Sequence, residues 1–157
     1  LNNIKIVRAN LSDVPKIQKL LKNEIEKGVI LYRSDDEIAM NIRSYLIAKD
    51  ENNCDEIIGC VALHIYSMGL AEFRSMMVNQ KYRMQGVGAL LIAKGIEDAK
   101  NLGLKEILVL TYKSYFFSKF GFREIPKIEI PDNKIWADCI KCSQFPVCEE
   151  VALIKKI

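Results

Sequence analysis

The segment MMVNQKYRMQGVGALL, residues 76–91, restricts the fold of this chain more than any other. An apolar run ends near Val78, a polar loop carries Arg83, and Gly86 and Gly88 open an amphipathic stretch, which reads as strand, loop and helix. Glycines at such a junction let the backbone turn tightly and approach a ligand, while the helix N-terminus offers unpaired N–H groups and the positive end of a dipole. An anion, most naturally a phosphate, fits there. Leu91 stands where a dinucleotide fingerprint has its third glycine, and the Lys-Ser/Thr of a P-loop is absent, so neither of those signatures applies.

Strands and helices alternate around this junction. IKIVRA (4–9) reads as a strand, and LSDVPKIQKLLKNEIEKG as a helix capped by Ser12, with Pro15 in its first turn and Gly28 as its stop. A short helix is expected after Ser34, then an antiparallel meander of YLIAKD (45–50), IIGCVALHIYS (57–67) and AEFRSMMV (71–78). Beyond the glycines come a helix ending at Gly103, the strand KEILVLTY, a helix YFFSKF stopped by Gly121, and a last strand EEVALIKKI. The fold class is α/β (α+β), in one domain over 1–157, with strand-to-helix transitions where ligands bind.

Arg83-x-x-Gly86-x-Gly88, after a strand ending in Val and before an amphipathic helix, resembles the acetyl-CoA-binding motif of the GCN5-related N-acetyltransferases. The segment YFFSKFGFREI, following the strand EILVLTY, is similar to a second landmark of that family. The resemblance implies a mixed, mostly antiparallel sheet splayed at the acetyl-CoA site, with helices on both faces. It also implies that the loop amides of Gln85, Gly86, Val87, Gly88 and Ala89 hold the pyrophosphate with Arg83 contacting phosphate, and that Met84 belongs to the same cofactor site along the pantetheine channel. A bulge would free backbone groups at Met76, Met77 and Val78 for the pantetheine arm, which Phe116 and Phe117 would line. Glu72 is the candidate base that makes the attacking amine neutral. Phe117 stands where relatives often carry a tyrosine, so Thr111 becomes the candidate proton donor, with water or release of a bare thiolate as rivals.

The span 30–78 is particularly similar to the acetyltransferase domain of bacterial N-acetylglutamate synthases, and the tail W-x-D-C-x-x-C-x-x-F-x-x-C looks like that of their short, stand-alone members. This implies glutamate as acetyl acceptor, N-acetylglutamate as product and a place in arginine biosynthesis. Long synthases carry a further arginine-sensing domain, so regulation by that route is not expected here. A dicarboxylate needs cationic partners, and Arg33, Arg74 and Lys134, with His64 near the same mouth, are the candidates. Another small amine, a protein N-terminus, or a non-catalytic acyl-CoA-binding module are the competing readings.

Cys139, Cys142 and Cys148 supply three thiols locally, one short of a structural zinc set, and the single histidine belongs to a distant strand. No metal is expected, and Lys134 and Trp136 become the more functional residues of that loop. The 23 basic and 20 acidic side chains give a net charge of +3 without a basic block, which argues against nucleic acid. No apolar run is long enough for a membrane span and no signal-peptide core is present, so a cytoplasmic protein with reduced thiols is expected. A homodimer is compatible with all of this.

Overall fold

The computed structural model describes the chain except for residues 1, 2, 55, 143 and 145–147, and, within the short helix over 132–137, the side chains at 133, 136 and 137. Seven strands form one sheet in the order β1-β2-β3-β4-β5-β7-β6. The strands are β1 (Ile4–Arg8), β2 (Tyr45–Asp50), β3 (Glu56–Ile65), β4 (Leu70–Val78), β5 (Glu106–Thr111), β6 (Arg123–Ile125) and β7 (Val151–Lys156). All pairings are antiparallel except β4 with β5. The described residues form five helices, α1 (Val14–Glu26), α2 (Asp35–Met40), α3 (Val87–Leu102), α4 (Ser114–Ser118) and α5 (Asp132–Ala137), the first four of which pack on the sheet.

Alternation within the strands sends apolar side chains to both faces. On one face Leu46, Val61, Leu63, Phe73, Ile107 and Val109 meet Val87, Leu91 and Ile92 of α3 and Phe117 of α4. On the other, Tyr45, Ile47, Cys60 and Ala62 meet Ile17 and Leu21 of α1 and Ile38 of α2. Helix α3 lies close on the sheet because Gly95 has no side chain: a Cβ there would come within 2.5 Å of the Phe73 ring.

Two local departures from the expected elements have clear causes. Asn10, not Ser12, caps the chain before α1: its side chain accepts from the Ser12 N–H while Asp13 reaches back to the Asn10 N–H, so the helix begins with a 3-10 turn over Leu11–Asp13. Two short elements, β6 and α5, lie where no element was expected, because three- and six-residue segments carry too little periodicity to be seen and rely on neighbours, β6 on β7.

The sheet opens at its centre. Strand β4 pairs with β5 only from Leu70–Phe73 against Glu106–Val109, whereas β5 continues along β7 to Thr111. On its other side β4 carries a bulge against β3: Cys60 faces Met77 and Ala62 faces Arg74, so Ser75 and Met76 together oppose Val61. Ser75 sits at φ 54°, and its carbonyl accepts from the buried Cys60 thiol at 3.2 Å. Past Phe73, therefore, the edge of β4 that faces β5 is free of ladder partners, and a cleft opens there.

Candidate active site

The cleft encloses about 1080 Å³ between the separating strands and is bounded by the start of α3, by α4 and by α5. Met76, Met77 and Val78 line it from β4, and Arg83 and Met84 from the loop after it. Gly86, Val87, Gly88 and Ala89 bring the first turn of α3 to its wall. Gly86, at φ 84°, is the N-cap and contributes no side-chain hydrogen bond, so the first N–H groups of this sixteen-residue helix are left to other partners. Opposite them lie Phe116 and Phe117, edge to face with ring centres 5.0 Å apart. Gln85 is not part of the lining, and its amide donates to the Lys81 carbonyl instead.

A buried ion cluster closes the other end. Glu72, Arg74, Arg33, Lys134 and Asp138 all line the cleft. Glu72 accepts from the Tyr66 hydroxyl at 2.7 Å on one oxygen and pairs with Lys134 Nζ at 2.9 Å on the other. Asp138 is the hub. Its two oxygens take Arg33 in a fork at 3.0 and 3.1 Å, and Oδ2 is also reached by Lys134 at 2.9 Å, Arg74 at 3.2 Å and the Tyr66 hydroxyl at 3.2 Å. Burial opposes ionisation of Asp138, but Arg33 and Lys134 outweigh it and hold the carboxyl well below the usual carboxylate range. Burial likewise disfavours the Lys134 ammonium, and Glu72 and Asp138 reverse that, leaving its pKa raised.

Three cations thus face two carboxylates, a net charge of +1. Moreover, the Arg33 and Arg74 side chains are only 9% and 8% exposed, yet Nε of each finds no hydrogen-bond partner among the described residues. An unpartnered buried donor costs free energy unless a ligand supplies the acceptor.

Thr111 lies at the end of β5 on the cleft wall; its hydroxyl oxygen accepts from the Lys113 N–H at 2.9 Å, which leaves its own proton free to donate. His64 stands beside the cluster but is not part of the lining: it opposes Glu72 across the β3–β4 ladder and packs edge-on against Tyr66 at 4.9 Å. Burial, and next the Arg74 charge, lower its pKa to about 4, so it is neutral near pH 7. The sequence reading missed Tyr66 and Asp138. Asp138, four residues after Lys134, had a signal in helical spacing, whereas Tyr66 lies beyond β3 and had none.

Cys139, Cys142 and Cys148 line the cleft as free thiols. Among the described residues no group of three or more His, Cys, Asp or Glu is arranged to hold a metal ion. The Trp136 side chain lies outside the described residues. No helix among them is long and apolar enough to cross a membrane.

The sequence matches the acetyltransferase (GNAT) domain family over residues 41–124. It is also 35% identical over 149 residues to an uncharacterised N-acetyltransferase of Chlorobaculum tepidum, covering 95% of this chain and 94% of that one. The chain belongs to the GNAT acetyltransferase family. This GNAT protein is similar as well to the amino-acid acetyltransferase of Mycobacterium tuberculosis, at 29% identity over 118 residues, 75% of this chain and 67% of that protein. Its fold matches that of Neisseria gonorrhoeae N-acetylglutamate synthase, solved with coenzyme A and N-acetyl-glutamate, with a TM-score of 0.84 and 22% identity over 98% of this chain but 35% of that one. The splayed sheet and the glycine-opened helix are thus features of a GNAT acetyltransferase, and the enzyme class follows from membership of the family.

Proposed function

We propose that this protein transfers the acetyl group of acetyl-CoA directly to the amine of a small anionic amino acid, with L-glutamate the acceptor and N-acetylglutamate the product. The observation that carries the acceptor is the cationic end of the cleft: Arg33, Arg74 and Lys134 exceed their carboxylate partners by one charge and keep two buried Nε–H donors unused. A dicarboxylic amino acid carries −1 with its amine protonated, which complements that surplus; a neutral amino acid or a polyamine does not. The name of the M. tuberculosis relative and the N-acetyl-glutamate in the gonococcal structure support the same reading.

Coenzyme A would place its pyrophosphate on the N–H groups of Gly86 to Ala89 with Arg83 alongside, and its arm against Met76 to Val78, Phe116 and Phe117. The β4 edge past Phe73 can pair with the amides of that arm as a missing strand would. Glu72 keeps a lone pair on each oxygen beside its bonds to Tyr66 and Lys134, enough to take the ammonium proton directly or through a water. The neutral amine then attacks the thioester carbonyl, the tetrahedral adduct gives up its extra N–H proton to solvent, the C–S bond breaks to leave the amide, and Thr111 donates to the departing sulfur, itself reprotonated from solvent. Both oxygens of Glu72 being engaged, and a phenylalanine at 117, favour a second reading, a non-catalytic acyl-CoA-binding module.

Thiol release from acetyl-CoA, measured across glutamate, aspartate, glutamine, alanine and spermidine, decides among these. Turnover with glutamate well above the others supports the proposal; turnover with spermidine alone overturns the acceptor, and no turnover with any amine or N-terminal peptide favours the module.

A further inference from the structure

Asp138 is a peculiar neighbour for a carboxylate-binding site. It takes the fork of Arg33, one donor each from Arg74 and Lys134, and a share of the Tyr66 proton that also bonds Glu72; the arginine and lysine bonds are those an acceptor carboxylate would need from the same side chains. Such a residue is either a permanent counterion or an internal substitute for the substrate.

Its place in the chain distinguishes these. Asp138 joins α5 to a 3-10 turn over Cys139–Lys141 at a backbone geometry belonging to neither, φ −126° and ψ −49°. Among the described helices and strands, the only extensive backbone neighbour of that turn is α5, and α5 in turn packs extensively on no strand. Lys134 secures α5 independently through Glu72 at 2.9 Å. Before the turn the Asp138 carboxylate ties it to the body of the protein; after it, Gln144 donates to the Gly28 carbonyl at 3.0 Å and accepts from the Tyr112 hydroxyl at 2.7 Å, so release of Asp138 leaves the turn hinged at Gln144, and segments with few packing contacts open at low free-energy cost.

Charge points the same way. With Asp138 in place the cluster carries +1. With Asp138 withdrawn, Arg33, Arg74 and Lys134 against Glu72 carry +2, equal and opposite to the two carboxylates of a dicarboxylic acceptor. A monocarboxylate leaves one buried positive charge uncompensated.

We propose that Asp138 is a specificity-determining residue: its carboxylate stands in for that of the acceptor, and only a dicarboxylic amine provides enough negative charge to displace it, swinging the Cys139–Lys141 turn outward while Lys134 stays on Glu72. This rests on the glutamate reading of the site.

Two experiments test it. In Asp138→Asn, the KM for glutamate falls about tenfold, as expected when a competing occupant that holds the site nine-tenths closed is removed, and kcat stays within about twofold. A KM that rises or does not change overturns the proposal. Wild-type protein is also followed by hydrogen exchange with and without glutarate, a dicarboxylate that has no amine to acetylate. The Lys141 and Cys142 amides, bonded to Asp138 and Cys139 carbonyls at 3.0 and 3.1 Å, are expected to exchange faster with glutarate bound. Slower or unchanged exchange at saturating glutarate overturns the proposal, and this measurement decides alone if Asp138→Asn does not fold. A wild-type enzyme that ignores glutamate while glutarate still speeds exchange sinks the acceptor reading, not the displacement; glutamate turnover with slowed exchange does the reverse.

Discussion

Arg33 and Asp138, 105 residues apart in the chain, meet through two parallel N–H···O bonds of 3.0 and 3.1 Å in the buried end of the cleft. Fork geometry of this kind is available to arginine and not to lysine. Arg33→Lys keeps the charge and loses the fork. The glutamate KM is expected to rise roughly 10- to 150-fold, matching the loss of one charge-assisted hydrogen bond of about 1.5–3 kcal/mol, with the acetyl-CoA KM unchanged. Steady-state kinetics with each substrate varied in turn checks this split.

Glu72→Gln removes the proposed proton acceptor while keeping the side-chain shape and the contact with Tyr66. A decrease in kcat of roughly 100-fold is expected for a general base. Unfolding should be followed in parallel, because the Lys134 ion pair at 2.9 Å is lost as well. An undiminished kcat would remove Glu72 from the mechanism.

Gly88→Val probes the start of α3. A Cβ at this position meets the Met76 Cε at 3.1 Å and the Phe116 ring at 3.4 Å, both able to give way, and the branches beyond it enter the cleft. Those branches take space proposed for the coenzyme A arm, so the acetyl-CoA KM should rise roughly tenfold or more, about 1.4 kcal/mol, while the melting temperature changes little because Met76 and Phe116 can give way.

Gly95→Ala acts on the fold instead. Its Cβ would lie 2.5 and 2.7 Å from two ring atoms of Phe73, which is itself packed beneath α3. Overpacking there should destabilise the protein by about 1–3 kcal/mol, measurable by denaturant unfolding. Phe73→Leu in the same chain should recover part of that loss, a coupling that a double-mutant cycle reads directly.

His64 supplies a pH dependence with a defined sign. Its folded-state pKa is lowered to about 4 by burial and then by Arg74, whereas an unfolded histidine titrates near its usual 6.5. Between these values the unfolded chain binds the extra proton, so stability contributed by neutral His64 is complete above about pH 6.5 and is lost as pH falls toward 4. His64→Gln should flatten the urea-midpoint profile across that window.

Much of this was legible in the chain itself, and the misses share a cause. The Gly86–Gly88 junction, the β2–β3–β4 meander and Ser34, whose hydroxyl accepts from the Glu37 N–H at 3.2 Å, are local signals and emerge where local reading puts them. Arg33, Arg74 and Lys134 were legible as cations, but their convergence on one carboxylate is a property of three distant elements. A buried group of cations demands counterions, and Asp138 was overlooked because the neighbouring cysteines drew attention to metal chemistry. Tyr66 and the displacement of His64 from the cleft depend on which way residues face near a strand end, which no periodicity in so short a segment reveals.

The additional residue in β4 changes the parity of the strand. Ahead of Ser75, Phe73 points to the α3 face, and simple alternation would send Met76 to the opposite side; instead Met76 packs with the α3 cluster and Met77 with the α1 cluster. In the proposed reaction one strand would in this way present acidic and basic side chains to the acceptor and, a few residues later, a bare peptide edge to coenzyme A. Removing Ser75 would thus do more than shorten β4: it would rotate Met76 and Met77 half a turn and put the two reactants out of phase along the same backbone.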